Sequence, residues 1–179
     1  IFYDQSGTMQ KQTLVGGSNS DYFYRVIEKA NGGFIAVGAS QSTDGDMTDL
    51  SKGGYDGLIA DFDSDGNILK AVTVGGGSKD EIRDIAESYD GGYVAVGYTQ
   101  SNDGDLAGSG KTASDRDALI VKLSADLDIE WVKTYGITGT TTTGLDDFYS
   151  VKVCLDGSYI VAGALGATDG VATKEKDIC

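Results

Sequence analysis

Three stretches of this sequence place carboxylates where they could grip a cation: Asp44-Gly45-Asp46, Asp103-Gly104-Asp105 and Asp169-Gly170. Paired acids around a glycine can fold about Ca²⁺, a hard ion that takes several oxygen ligands. The same pattern also serves a plain turn, in which the carboxylate caps backbone amides and shapes the loop. In the third copy Val171 stands where the second acid belongs. That weakens a shared metal site and leaves Asp44, Asp46, Asp103 and Asp105 as the candidate calcium ligands.

Other candidate chemistry is thinner. Asp61-Phe62-Asp63-Ser64-Asp65-Gly66 has the look of half an EF-hand loop. Its twelfth position is Val72 rather than a bidentate Glu, so a hairpin turn is the better reading. Residues 105–112, DLAGSGKT, miss a phosphate-binding loop because Asp105 replaces the leading glycine and no helix start follows. The chain has no His, which removes imidazole bases, His-containing triads and His zinc sites. Acid–base pairs of the glycosidase kind need one particular constellation, whereas these acids recur along the chain. Ten Tyr and one Trp could supply rings for stacking on sugars. Tyr93, Tyr98, Tyr149, Tyr159 and Trp131 fall inside predicted strands, where packing between sheets is expected. Tyr22 and Tyr55 lie near loops and are the candidates for an exposed binding face.

The composition narrows the class. Acidic residues number 28 against 14 basic ones, a net charge of −14, which repels phosphate backbones and anionic membranes. No nucleic-acid partner and no membrane insertion are expected, since no apolar run is long enough to span a bilayer. Twenty-seven glycines and no proline fit short strands joined by tight turns.

What positions these residues is a repeat. ANGGFIAVG at residues 30–38 returns as YDGGYVAVG at 89–97 and as LDGSYIVAG at 155–163. Val26 and Ile85 are 59 residues apart, and Ile85 and Val151 are 66 apart. The extra residues fall in loops, at 111–116 and in the Thr-rich run 139–144. Each repeat reads as four strands: residues 23–29, 34–39, 56–62 and 68–74, then 82–88, 93–98, 117–123 and 129–135. A last copy supplies 148–154 and 159–164. The D/N-G-G turns are hairpin chemistry. Leu58-Ile59-Ala60 and Leu119-Ile120-Val121 are apolar without alternation, as in a strand covered on both faces. Four antiparallel strands per repeat of about sixty residues predict an all-β fold, a β-propeller, and here an arc or fragment of a larger one. The expected division is 1–18 (end of a blade), 19–77 (a blade), 78–143 (a blade) and 144–179 (start of a blade).

Val37-Gly38 closing strand two, Tyr55-Asp56 opening strand three and the turn from Asp63 to Asn67 resemble kelch-like propeller blades. The combination GGFIAVG, S-x-D-G-D, YD-x-LI and FD-x-x-GN is similar to tandem repeats of secreted or surface-attached bacterial proteins. The pattern departs from kelch in lacking a Gly-Gly pair at the end of strand two. Only Trp131 keeps the strand-four Trp, whose place Lys11 and Lys70 hold elsewhere. The resemblance implies an extracellular or cell-surface location. It implies a non-enzymatic binding, adhesion or scaffold role toward a protein or glycan ligand. The alternatives are part of a polysaccharide lyase or glycosidase, or a filament or spacer subunit.

Two further expectations concern the ends. Cys154 and Cys179 would lie two strands apart, about 9.5 Å, beyond the roughly 7 Å a disulfide spans, so no bond between them is expected. The chain opens on Ile-Phe-Tyr within a repeat, as a processed or excised portion would. Residues 1–15 and 146–179 together make one blade, giving three blades' worth of sequence, fewer than the roughly four to eight of a ring. The remaining blades are expected from a longer chain or from self-association, two copies making six.

Overall fold

The computed structural model describes residues 1–30, 32–109, 111, 115–136 and 146–165. Their regular structure is strand, apart from two three-residue 3₁₀ turns at Gly45–Met47 and Gly104–Leu106. Strands β3 (Asp21–Glu28), β4 (Phe34–Ser40), β5 (Asp56–Phe62) and β6 (Ile68–Val74) form one antiparallel sheet in chain order. Strands β7 (Asp80–Glu87), β8 (Tyr93–Thr99), β9 (Asp117–Leu123) and β10 (Ile129–Tyr135) form a second. Two-stranded sheets flank them: β1 (Phe2–Tyr3) with β2 (Met9–Lys11), and β11 (Asp147–Val153) with β12 (Tyr159–Ala164). The fold is therefore all-β, built on repeated four-stranded antiparallel sheets. Among the described residues the sheets form an open row, not a closed ring.

Each turn reflects local chemistry. Gly91 has φ 80°, a conformation that costs glycine nothing, and Ser88 N–H donates to Gly92 O at 2.8 Å to close the hairpin. The first strand of each repeat starts one or two residues earlier than the sequence suggests, at Asp21, Asp80 and Asp147. Aspartate is a poor strand former, but here the position is set by side-chain contacts described below, which override propensity.

Strand one carries a register shift in every copy, at Phe23/Arg25, Ile82/Asp84 and Phe148/Ser150. The bulge pushes a carbonyl against strand two. A Cβ on Gly38, Gly97 or Gly163 would sit 1.7, 1.9 and 1.9 Å from the carbonyl oxygens of Tyr22, Glu81 and Asp147. This is why strand two keeps a glycine after Val37, Val96 and Ala162: only a residue without a side chain admits the neighbouring backbone.

The sheets stack face to face, β7 lying against β3, β4 and β5, and β11 against β7, β8 and β9. Ile35, Val37, Ile59 and Val74 of the first sheet pack on Ile82, Ile85, Tyr93 and Leu123 of the second. The opposite face of the second sheet, Val94, Val96, Ala118 and Ile120, packs on Phe148 and Val151. Successive side chains of β8 thus enter two different cores, which explains its unbroken apolar run.

Cys154 is held in a disulfide, and no cysteine among the described residues is free. That runs against the expectation that Cys154 and Cys179, the two cysteines of the sequence, do not bond to each other. It rested on placing Cys179 in a third strand, and Cys179 lies outside the described residues.

Candidate functional site

The Asp-Gly-Asp loops run between strands two and three of their own sheets, β4 to β5 and β8 to β9, and reach the linkers between consecutive sheets. In the first copy Asp44 Oδ1 accepts the Ser18 amide at 2.7 Å and Asp46 Oδ2 accepts the Gly16 amide at 3.1 Å, while Asp46 N–H donates back to Gly16 O at 3.0 Å. The second copy repeats this: Asp103 Oδ1 takes Gly77 N–H at 2.7 Å, Asp105 Oδ2 takes Gly75 N–H at 3.0 Å, and Asp105 N–H donates to Gly75 O at 3.0 Å. Lys52 Nζ also reaches Asp105 Oδ2 at 3.1 Å. The four acids clasp the linkers that carry the chain from strand four of one sheet to strand one of the next. Among the described residues no three acidic, His or Cys side chains gather as a cation site. Asp169-Gly170 lies outside the described residues.

Two aspartates that the sequence reading passed over complete these clasps. Asp80 is fully buried and accepts from Gly76 N–H at 3.0 Å, Ser101 Oγ at 2.7 Å and Thr99 Oγ1. Asp21 does the same, half-buried, with Gly17 N–H at 2.9 Å, Ser42 Oγ at 2.8 Å and Ser40 Oγ. The signal was present: VGGSNSD recurs as VGGGSKD, and Ser40-Gln41-Ser42 as Thr99-Gln100-Ser101.

The first strand of each sheet contributes to a surface of aromatic and basic side chains. Val26, Ile85 and Val151 being equivalent, Tyr24, Arg83 and Tyr149 occupy one position on β3, β7 and β11. Stacking brings them to one ridge. Tyr22 stacks between Tyr24 and Tyr55, with centroids at 6.3 and 6.1 Å and interplanar angles of 11° and 25°. Arg83 lies 5.0 Å over Tyr24 and Lys79 lies 5.1 Å over Tyr55, and both flank Tyr98. Arg116 covers the Tyr98 ring at 3.5 Å and forks onto Asp147, whose Oδ2 also accepts the Tyr149 hydroxyl at 3.0 Å. Tyr22, Tyr24 and Tyr149 remain 45%, 43% and 51% exposed, whereas Tyr98 is buried beneath the cations.

Glu81 anchors this group, bridging Lys79 and Arg83 at 2.9 Å each. Burial alone would raise its carboxyl, but hydrogen bonds from Lys79 and Tyr98 hold it below the usual range. Its hydrogen bond raises Lys79 in turn. Burial, with the nearby Glu81 charge, pushes the Tyr98 phenol up to about 12. A second acid, Asp84, ties three sheets together: it meets Arg25 Nε at 3.2 Å and accepts Ser150 Oγ and Val151 N–H at 3.0 Å.

Of the aromatic residues singled out by sequence, Tyr22 is exposed as expected, whereas Tyr55, stacked against it, is half-buried. Tyr93 and Tyr98 are core residues, and Trp131 and Tyr159 are half-buried partners at 6.3 Å. Tyr149 departs from its packing role. It points outward because the bulge at Phe148/Ser150 turns Phe148, not Tyr149, into the core. Compared with protein-family models and with curated proteins, the chain matches none.

Proposed function

We propose that this chain is a segment of a kelch-like β-propeller from an extracellular or cell-surface bacterial protein, acting as a non-enzymatic module that binds a protein partner along the Tyr/Arg ridge. The observation that carries the reading is the ridge itself. Tyr22, Tyr24 and Tyr149 are exposed, yet each is held: Tyr22 by stacking on Tyr24 and Tyr55, Tyr24 under Arg83, and Tyr149 by its hydrogen bond to Asp147. Tyrosine and arginine are the residues that dominate protein interfaces, because they offer large, stiff contact area with polar tips. Tyr22 is already stacked with Tyr24 and Tyr55, which favours a protein partner over a sugar laid on its ring. The carboxylates of the loops are engaged as backbone clasps, which favours binding over turnover. A disulfide at Cys154 suits an oxidising compartment.

The test is a binding screen of the purified chain against a displayed library of extracellular protein segments and against a glycan array. Protein-segment binding that the Tyr22→Ala/Tyr24→Ala variant loses at unchanged melting temperature supports the proposal. Glycan binding alone, or cleavage of a polysaccharide, overturns it.

A further inference from the structure

A pair of buried carboxylates sits at each of two joints between sheets, and the two pairs meet different counter-charges. At the first joint Asp56, opening β5, and Asp80, opening β7, are both fully buried. A Cβ on Gly75 would lie 2.2 Å from Asp56 Oδ1 and 2.8 Å from Asp80 Oδ2, so the two oxygens converge on one α-carbon. Asp80 N–H donates to Tyr55 O at 2.6 Å and ties the two strand starts together. Asp80 has its three side-chain donors. Asp56 Oδ2 accepts the Lys52 amide at 2.7 Å, but Oδ1 meets no donor.

The joint between the second sheet and β11–β12 repeats this arrangement with Asp117 and Asp146. A Cβ on Gly136 would lie 2.2 Å from Asp117 Oδ1, and Asp146 N–H donates to Arg116 O at 3.4 Å. Here the loop before strand three is longer, and its extra residues bring in Lys111. The Lys111 side chain is fully buried, with Nζ 3.2 Å from Asp117 Oδ2 and 3.1 Å from Asp115 Oδ1. At the first joint Lys52 turns its ammonium to Thr73 and Asp105 instead.

Two buried carboxylates that face each other do not both ionise without a counter-charge. The charged groups around Asp56 are few. Lys52 lies on its own loop, Asp80 on β7, and Asp105, beyond Gly75, takes the Gly75 amide and the Lys52 ammonium. Lys79 and Glu81 pair with each other beside Tyr98, and β4 and β6 bring only Ser40, Thr73 and Val74 to this end. A metal ion wants several oxygens, and among the described residues no third acidic side chain completes such a site. A proton needs no further ligand.

We propose that Asp56 holds a proton on Oδ1 against Asp80, and that this proton fastens the first joint. The joint loosens as pH rises and Asp56 ionises, whereas the second joint, fastened by Lys111, responds less. Burial, with the Asp80 charge, holds Asp56 above the usual carboxylate range, so its contribution to folding is present at low pH and lost as pH rises through the folded value. Burial raises Asp117 as well, with the Lys111 ammonium pulling it back. The device is independent of what the Tyr/Arg ridge binds.

Hydrogen exchange of the full chain, read amide by amide between about pH 5 and about pH 8 and corrected for the intrinsic rate, tests it. Protection of the Asp80 amide is expected to fall at least about tenfold, the factor that one pKa unit sets, and that of Asp146 to change less. Asp56→Asn keeps a donor beside Asp80 but cannot ionise, so its Asp80 protection is expected to stay level. Lys111→Met, checked for folding by circular dichroism, is expected to give the Asp146 amide a fall of its own. Level Asp80 protection in the parent, an equal fall in Asp56→Asn, or a folded Lys111→Met whose Asp146 amide stays level overturns the proposal. So does a fall that millimolar calcium abolishes, since a cation would then hold the pair.

Discussion

Replacing Asp80 by Ala tests whether the linker clasps hold the sheets together. Asp80 is fully buried and takes three hydrogen bonds, from Gly76 N–H, Thr99 Oγ1 and Ser101 Oγ. A hydrogen bond to a charged group contributes about 1.5–3 kcal/mol, and its loss leaves buried donors unmet. Removing the carboxylate also removes the cost of burying it, which offsets part of the loss. The net cost is about 3–5 kcal/mol, or a fall in melting midpoint of roughly 6–20 °C for a chain of this size. The repeat supplies its own control. Asp21 makes the matching three bonds to Gly17, Ser40 and Ser42 but is only half-buried, so water replaces part of what is lost. Asp21→Ala should cost about 1–2 kcal/mol. Urea and thermal unfolding followed by circular dichroism at neutral pH measure both. The reasoning fails if Asp21→Ala costs as much as Asp80→Ala, or if Asp80→Ala melts within about 2 °C of the parent.

Three other expectations follow from the same geometry. Asp56 is fully buried, its Oδ1 lacks a hydrogen-bond donor, and burial, with the neighbouring Asp80 charge, raises its carboxyl above the usual range. A raised acid favours folding below its unfolded pKa and loses that contribution as pH rises through the folded value. Asp56→Asn should therefore be more stable than the parent at neutral pH. The advantage should shrink as pH falls into the carboxylate range, and a parallel pair of stability–pH curves would rule this out. Gly97→Ala would put a Cβ 1.9 Å from Glu81 O and should cost at least about 2–3 kcal/mol in urea unfolding. Because Asp44, Asp46, Asp103 and Asp105 already accept backbone amides, melting in EDTA and in millimolar calcium should give the same midpoint. A midpoint several degrees higher with calcium would instead assign them a cation by linkage.

The repeat, the strands and their order are legible in the sequence because they rest on local rules. Alternating or unbroken apolar runs set β4, β5, β8 and β9, and D/N-G-G sets the hairpins that lead from β3 into β4 and from β7 into β8. The glycine after Val37, Val96 and Ala162 is legible as a recurring residue, but its cause is a carbonyl on the neighbouring strand. The carboxylates were ambiguous for the same reason. A cation and a backbone amide both satisfy an Asp-Gly-Asp loop, and the choice depends on Gly16 and Ser18, which lie 30 residues from Asp46 and 26 from Asp44. Tyr24, Arg83 and Tyr149 share a repeat position, yet nothing local marks them as one surface. They become one only when β3, β7 and β11 stack, because a ring and a guanidinium interact across a few ångströms of space and not along the chain.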